Sequence, residues 1–245
     1  MSGRLFVGTS GFAYTEWRPE FYPQDLKNDG MLSYYAERLL SVEINYTFYR
    51  EPSAKTVAQW VERTPEQFNF ALKANRKITH TARLADVDEV LDRFLRSASQ
   101  LGPRLGPILF QLPPTLKYRA ELLDGFLARL PAGDMPGAGL YRFAMEFRNA
   151  TWDCNEVRDK LTANNVSWCV ADTDEQDAMM VRTAPQFAYF RLRKLSYDDE
   201  TLAKWSKEVA SLLRDGADAY VYFKHEDTAS GVMYAFRFRE LVAAA

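Results

Sequence analysis

Histidine and cysteine are scarce in this chain: His80, His225, Cys154 and Cys169 are all it has among 245 residues. Their spacings match no His/Cys zinc site, so no structural zinc is expected. Two cysteines that form no C-x-x-C pair also argue against a disulfide framework and point to a reducing compartment, the cytoplasm. Long hydrophobic runs are missing too. No apolar stretch approaches the roughly 18 residues of a membrane-spanning helix, so no membrane partner is expected. The apolar run Leu5-Phe-Val7 near the start is too short for the core of a signal peptide. Charge of one sign is not in excess either: 31 Lys and Arg face 33 Asp and Glu, a formal net charge of −2. Proteins that coat nucleic acid non-specifically are usually far more basic. Any anion binding must come from a local patch. No repeat, low-complexity tract or Pro/Gly/Ser linker divides the chain, and residues 1–245 read as one domain.

What is present is alternation. Short β-rich runs occur at Leu5–Gly8, Ser41–Asn45, Phe68–Lys73, Ile108–Gln111, Phe143–Phe147, Val166–Ala171, Phe187–Leu192 and Ala219–Phe223. Between them lie helix-like stretches at Leu32–Leu40, Ala54–Arg63, Asp86–Leu101, Ala120–Leu130, Glu156–Asn164, Asp199–Arg214 and Val232–Val242. The segment Asp172–Gln186 has no clear helical period. Strands joined by long helical crossovers pair in parallel. Eight of them close a barrel whose interior side chains can fill. The predicted fold is α/β, a single (β/α)8 TIM-like barrel. The rival open sheet would need a Gly-rich phosphate turn, and Gly8-Thr-Ser-Gly11 does not continue as G-x-G-x-x-G.

Two connections exceed a simple turn. Thr9–Gly30 follows the first strand and carries Phe12, Tyr14, Trp17, Phe21 and Tyr22; Ala74–Ala85 follows the third and carries Arg76, Lys77, His80 and Arg83. Both belong to the face where barrel enzymes hold their active sites. Trp17, Tyr22, Tyr46, Phe48 and Tyr49 either stack on a base or sugar ring or pack beneath these loops.

Side chains alternate along a strand. Glu43 and Asn45 therefore share a face, as do Asn69, Ala71 and Lys73; Leu109 and Gln111; Glu146 and Arg148; Trp168, Val170 and Asp172; Tyr189, Arg191 and Arg193; and Tyr220, Tyr222 and Lys224. With the apolar set turned to the helices, this set converges at the barrel mouth. Cys169, on the opposite phase, is expected on the helix side as an inert thiol. A barrel held only by packing would use Val, Ile and Leu at these places, so the polar strand ends point to a ligand site. Internal salt bridges such as Glu146–Arg148 or Glu43–Lys73 are the structural alternative.

The segments Gly8-Thr-Ser-Gly-Phe12 with Trp17 and Phe21-Tyr22, Glu43-Ile-Asn-Tyr-Thr-Phe-Tyr49, Phe110-Gln-Leu-Pro113, and Glu146-Phe-Arg148 with Trp152 resemble the bacterial YecE-like family, domain of unknown function family seventy-two. The resemblance implies a TIM-like barrel. It also implies that Glu43, Asn45, Thr47, Tyr49, Lys73, His80, Gln111, Glu146, Arg148, Asp172 and Arg191 occupy the family's recurrent polar positions. The chain departs from the pattern after strand seven, where Arg193-Lys194 stands in place of His-Gly. It departs again after strand eight, where Lys224-His225 stands in place of Asn-Asn. Both changes add positive charge.

The expected function is binding of a small anionic ligand such as a sugar phosphate or nucleotide, with a hydrolase or lyase reaction as the candidate turnover. Glu43, Glu146, Asp172 and Lys73 are the candidate catalytic groups. Asn45, Tyr49, His80, Gln111, Arg148, Arg191, Arg193 and Lys224 are the candidate ligand contacts. A magnesium or manganese ion on Glu43, Glu146 or Asp172 is compatible with this set, though not expected without ligand. The alternatives are a nucleic-acid-binding or repair-associated barrel and a non-catalytic binding protein.

Overall fold

The computed structural model describes residues 2–131, 134–135, 139–175, 178 and 180–245. Its eight main strands are β1 (Leu5–Ser10), β2 (Ser41–Ile44), β3 (Asn69–Lys73), β4 (Leu105–Gln111), β5 (Phe143–Glu146), β6 (Val166–Asp172), β7 (Phe187–Leu192) and β8 (Asp218–Phe223). All pair in parallel and follow chain order around a closed barrel. The seam is β1 against β8, with Phe6 opposite Tyr220 and Thr9 opposite Phe223. A two-residue antiparallel pair, Asp134–Met135 with Gly139–Leu140, stands outside the barrel.

The outer layer contains α1 (Met31–Ala36), the single turn α2 (Tyr46–Tyr49), α3 (Ala54–Glu62), α4 (Asp88–Ser99), α5 (Ala120–Leu127), α6 (Asn155–Ala163), α7 (Asp199–Arg214) and α8 (Ser230–Ala244). Helical spacing explains their docking: Leu91, Phe94, Leu95 and Ala98 of α4, and Leu202, Trp205, Val209 and Leu212 of α7, turn one buried stripe to the sheet. Caps fix two starts. Ser53 Oγ accepts from Thr56 N at 3.1 Å before α3, and Asp198 Oδ1 from Thr201 N at 2.8 Å before α7. Among the described residues between β6 and β7 there is no helix. None of the described helices is long and apolar enough to cross a membrane.

The lumen is packed rather than hollow. Phe6, Ala71, Leu109, Ala144, Cys169, Phe187, Tyr189, Tyr220 and Tyr222 form one buried cluster inside the ring. Small residues on β3 and β5 leave volume for the tyrosines of β7 and β8. Gly8 is needed for closure: a Cβ there would lie 1.9 Å from the Ser41 carbonyl oxygen of β2. At the N-terminal end Arg142 bonds Asp218 at 2.8 Å and also the Tyr220 hydroxyl, which reaches Asn69 Oδ1 at 3.2 Å. This plug closes the end away from the mouth.

One expectation on elements is corrected and two short elements are added. The helix expected over Leu32–Leu40 ends at Ala36, because the chain must turn there to enter β2. The turn α2 and a π-helical turn at Lys77–Thr81 carry no extended 3.6-residue period and were not anticipated.

Candidate functional site

At the C-terminal end of the lumen, Arg191 of β7 lies between two carboxylates. Its Nη2 donates to Glu43 Oε1 of β2 at 2.9 Å and its Nη1 to Glu146 Oε2 of β5 at 2.5 Å. All three side chains are almost wholly excluded from solvent. Buried ions are tolerated only when paired and hydrogen-bonded. Here Glu43 also accepts from Ser10 Oγ at 2.8 Å and from the Tyr189 hydroxyl at 2.7 Å. Glu146 Oε1 accepts from Gln111 Nε2 at 2.9 Å and Arg148 Nε at 3.0 Å. The register explains the convergence, since Gln111 pairs with Glu146 across β4 and β5.

These contacts set the ionisation. Burial alone would raise both carboxyls, but Arg191 and the hydrogen bonds from Tyr189 and Ser10 outweigh it at Glu43 and lower its pKa. At Glu146, burial is likewise overcome by Arg191, Arg148 and Arg193, which hold it down to about 2. Both are carboxylates at neutral pH. Arg191 Nε is buried and has no partner, and so is Asn45 Oδ1 at the end of β2. Orphaned polar atoms of this kind call for an explanation.

Beside this network, Lys73 ends β3 with its Nζ 4.1 Å from the centroid of the Phe48 ring. It makes no ion pair among the described residues. Burial pushes its ammonium down to about 8, with Arg191 and Arg148 acting the same way and Glu43 and Glu146 opposing them. Phe48 also meets His80 edge-on, at 4.9 Å between ring centroids. His80 sits in the π-helical turn, its Nδ1 2.9 Å from Thr79 Oγ1. Burial lowers its pKa, and Lys73, Arg148 and Arg76 lower it further. The loop that carries it holds Arg83, Leu84 and Asp86 in left-handed backbone, at φ 52°, 70° and 49°. Such strain gathers at functional sites.

A cavity of about 1000 Å³ opens at the mouth. Glu146, Arg148, Arg193, Lys194 and Lys224 line it, together with Asp153, Asp174, Glu175, Glu226 and Asp227. Lys224 is 3.5 Å from Glu226, and Lys194 is 3.4 Å from Asp172. Arg193 stands 3.9 Å from Glu146 Oε1. The cations that outnumber their carboxylate partners are therefore Arg148 and Arg193, which line the cavity, and Lys73, which stands beside it at the end of β3; five carboxylates besides Glu146 share the lining.

Glu43, Lys73, Gln111, Glu146, Arg148, Arg191 and Arg193 gather as the strand alternation predicts, with His80 beside them. Asp172 does not join them. Ala171, not Asp172, is the register partner of Arg191, and Cys169 is that of Tyr189. Alternation on β6 thus runs opposite to the expected phase. Cys169 faces the lumen, Val170 packs under the helices, and Asp172 lies on the side of Leu192. There its Oδ1 accepts from Ala178 N at 3.2 Å. Hydropathy could not settle this strand, because Trp168, Cys169, Val170 and Ala171 suit either face. Lys224 lines the cavity wall, and Tyr49 sits on the rim at 71% exposure. The aromatic set divides. Trp17 and Tyr22 are fully buried and stack at 5.9 Å beneath the first loop, whereas Tyr46 and Tyr49 are exposed. Among the described residues no group of three His, Cys, Asp or Glu side chains could hold a metal ion. Arg191 already occupies both Glu43 and Glu146.

A closed parallel barrel with a charged constellation at the C-terminal ends of its strands defines a TIM-like protein. The chain belongs to the family described as Protein of unknown function DUF72, whose model matches residues 6–245. It is 34% identical over 119 residues to the UPF0759 protein YecE of Escherichia coli K12, covering 48% of this chain and 41% of YecE. It is 28% identical over 155 residues to the UPF0759 protein YunF of Bacillus subtilis, covering 60% of this chain and 52% of YunF. The chain thus spans about half the length of the curated relatives it matches. A DUF72 family protein of Thermotoga maritima has the same fold, with a TM-score of 0.83, 25% identity, and coverage of 98% of this chain and 99% of its own. A second, from Enterococcus faecalis, superposes with a TM-score of 0.78 at 19% identity over 99% of each chain.

Proposed function

We propose that the barrel mouth binds a small anionic ligand of the sugar-phosphate class and acts on it as an enzyme. One observation carries this reading: Lys73, Arg148 and Arg193 exceed the carboxylates available to them beside a buried, fully paired Glu43–Arg191–Glu146 core. Guanidinium groups suit the recognition of phosphate and carboxylate. The carboxylates in the lining favour a hydroxyl-rich body over a polyanion, because they accept hydrogen bonds from hydroxyls and repel a phosphodiester chain. That weighs against the nucleic-acid reading. Glu43 and Glu146 are held ionised by their partners, so the core positions groups rather than shuttling protons at neutral pH. In this reading the barrel is one unit working in the reducing cytoplasm, with Cys154 and Cys169 as free thiols.

Ligand binding to the native state raises its stability, by about 2.7 kcal/mol at a hundredfold excess over the dissociation constant. Inorganic phosphate and hexose phosphates are expected to raise the melting temperature in a saturable way. Arg193→Ala should weaken that shift, and Arg214→Ala at the end of α7 should leave it unchanged. No shift with any phosphorylated compound, or equal loss in both variants, would sink the proposal.

A further inference from the structure

We infer that Lys73 is an amine nucleophile that forms a Schiff base with an aldehyde or ketone carrying an anionic group. This deepens the reading above and rests on it. The mouth offers few other reactive groups. Glu43 and Glu146 are engaged on every side, and Asp172 lies on another face of β6. Lys73 is half-buried, has no carboxylate partner among the described residues, and rests on an aromatic face. The Phe48 face favours the ammonium, but burial without a carboxylate partner and the nearby Arg191 and Arg148 guanidinium groups disfavour it more, so this amine gives up its proton more readily than one in water and has a lone pair to attack. The charged groups acting on it are Glu43 of β2, Glu146 and Arg148 of β5, and Arg191 of β7. His80 in the loop after β3 is close enough to feel its charge. Burial and the two guanidinium groups prevail, which puts its pKa at about 8.

The step balances without an outside oxidant or reductant. The neutral Nζ attacks the carbonyl carbon and a C–N bond forms while the C=O π pair moves to oxygen. A proton passes from nitrogen to that oxygen. The carbinolamine hydroxyl then leaves with the remaining amine proton as water, giving the imine. Arg148 and Arg193 would hold the anionic end of the substrate.

The test uses the full chain with pyridoxal 5′-phosphate as a probe, an aldehyde that bears a phosphate. Imine formation is followed by absorbance, trapped with borohydride and located by peptide mass. Exposed Lys27, Lys55, Lys117 and Lys207 serve as internal controls. Lys73 should be labelled at least about tenfold faster than these, since a lysine with pKa near 8 holds on the order of a hundredfold more free amine at neutral pH. The rate should rise with a midpoint near pH 8, the value at which Lys73 deprotonates. Inorganic phosphate should slow it, and pyridoxal without the phosphate should react more slowly. Lys73→Arg should abolish this label, and Arg214→Ala at the end of α7 should leave both the label and the phosphate-induced melting shift unchanged. Label spread evenly over the lysines, with the melting shift intact, overturns the nucleophile and leaves the anion site standing. Even labelling with no melting shift overturns both.

Discussion

Removing the Arg191 guanidinium would leave Glu43 and Glu146 facing one another across a dry lumen. Deleting one partner of a buried ion pair typically costs about 3–5 kcal/mol, because a charge is stranded. Arg191→Ala is therefore expected to lose stability on that scale in guanidinium unfolding, and it is a poor probe of ligand binding for the same reason. A loss below about 1 kcal/mol would mean that the core is hydrated. The same network predicts a pH dependence. Glu146 is held at about 2 in the fold against an ordinary 4.5. Its depressed pKa stabilises the protein fully above about 4.5, and that contribution is lost as the pH falls toward 2. The gap in melting temperature between wild type and Glu146→Gln should narrow across that window. A constant gap would show that Glu146 does not titrate there.

Elements carry these residues to one place only if their faces are phased correctly, and β5 offers a direct check. Ala144 lies in the lumen cluster and Met145 in the layer beneath the helices. Adding methylenes to a filled interior costs about 1–3 kcal/mol. Ala144→Leu should lose that much or more in chemical unfolding, because it meets the cluster that contains Tyr189 and Leu109. A neutral result would show space in the lumen that the packing does not. The strands end in polar residues, and the loops beyond them supply the rest. His80 is presented by a π-helical turn, an element frequent at functional sites and invisible to hydropathy.

Across the whole molecule the two ends of the barrel do different work. The N-terminal plug of Arg142, Asp218, Tyr220 and Asn69 is self-satisfied, while the C-terminal mouth keeps spare cations and orphaned polar atoms. Asp218→Ala should cost about 1.5–3 kcal/mol by removing a charged hydrogen bond, yet leave the phosphate-induced melting shift as it is. Arg193→Ala should do the reverse. Calorimetry on both variants with and without phosphate tests the separation, and a shared loss of the melting shift would refute it.

The sequence by itself determined the barrel. Eight β-rich runs, all but the sixth and seventh separated by a helical stretch, favour parallel pairing, and the strands from Ser41 and Phe187 begin and end within a residue of the expected bounds. Period-two alternation also placed Glu43, Lys73, Gln111, Glu146 and Arg191 on the lumen side, because on these strands the residues of the opposite phase are apolar and suit the helix layer. Tertiary structure decided the rest. The phase of β6 is set by its register with β7, Cys169 opposite Tyr189, since its own residues suit either side. Which cations remain spare is likewise a matter of distance between chain segments far apart in sequence. Asp172 comes within 3.4 Å of Lys194 only once β6 and β7 are paired.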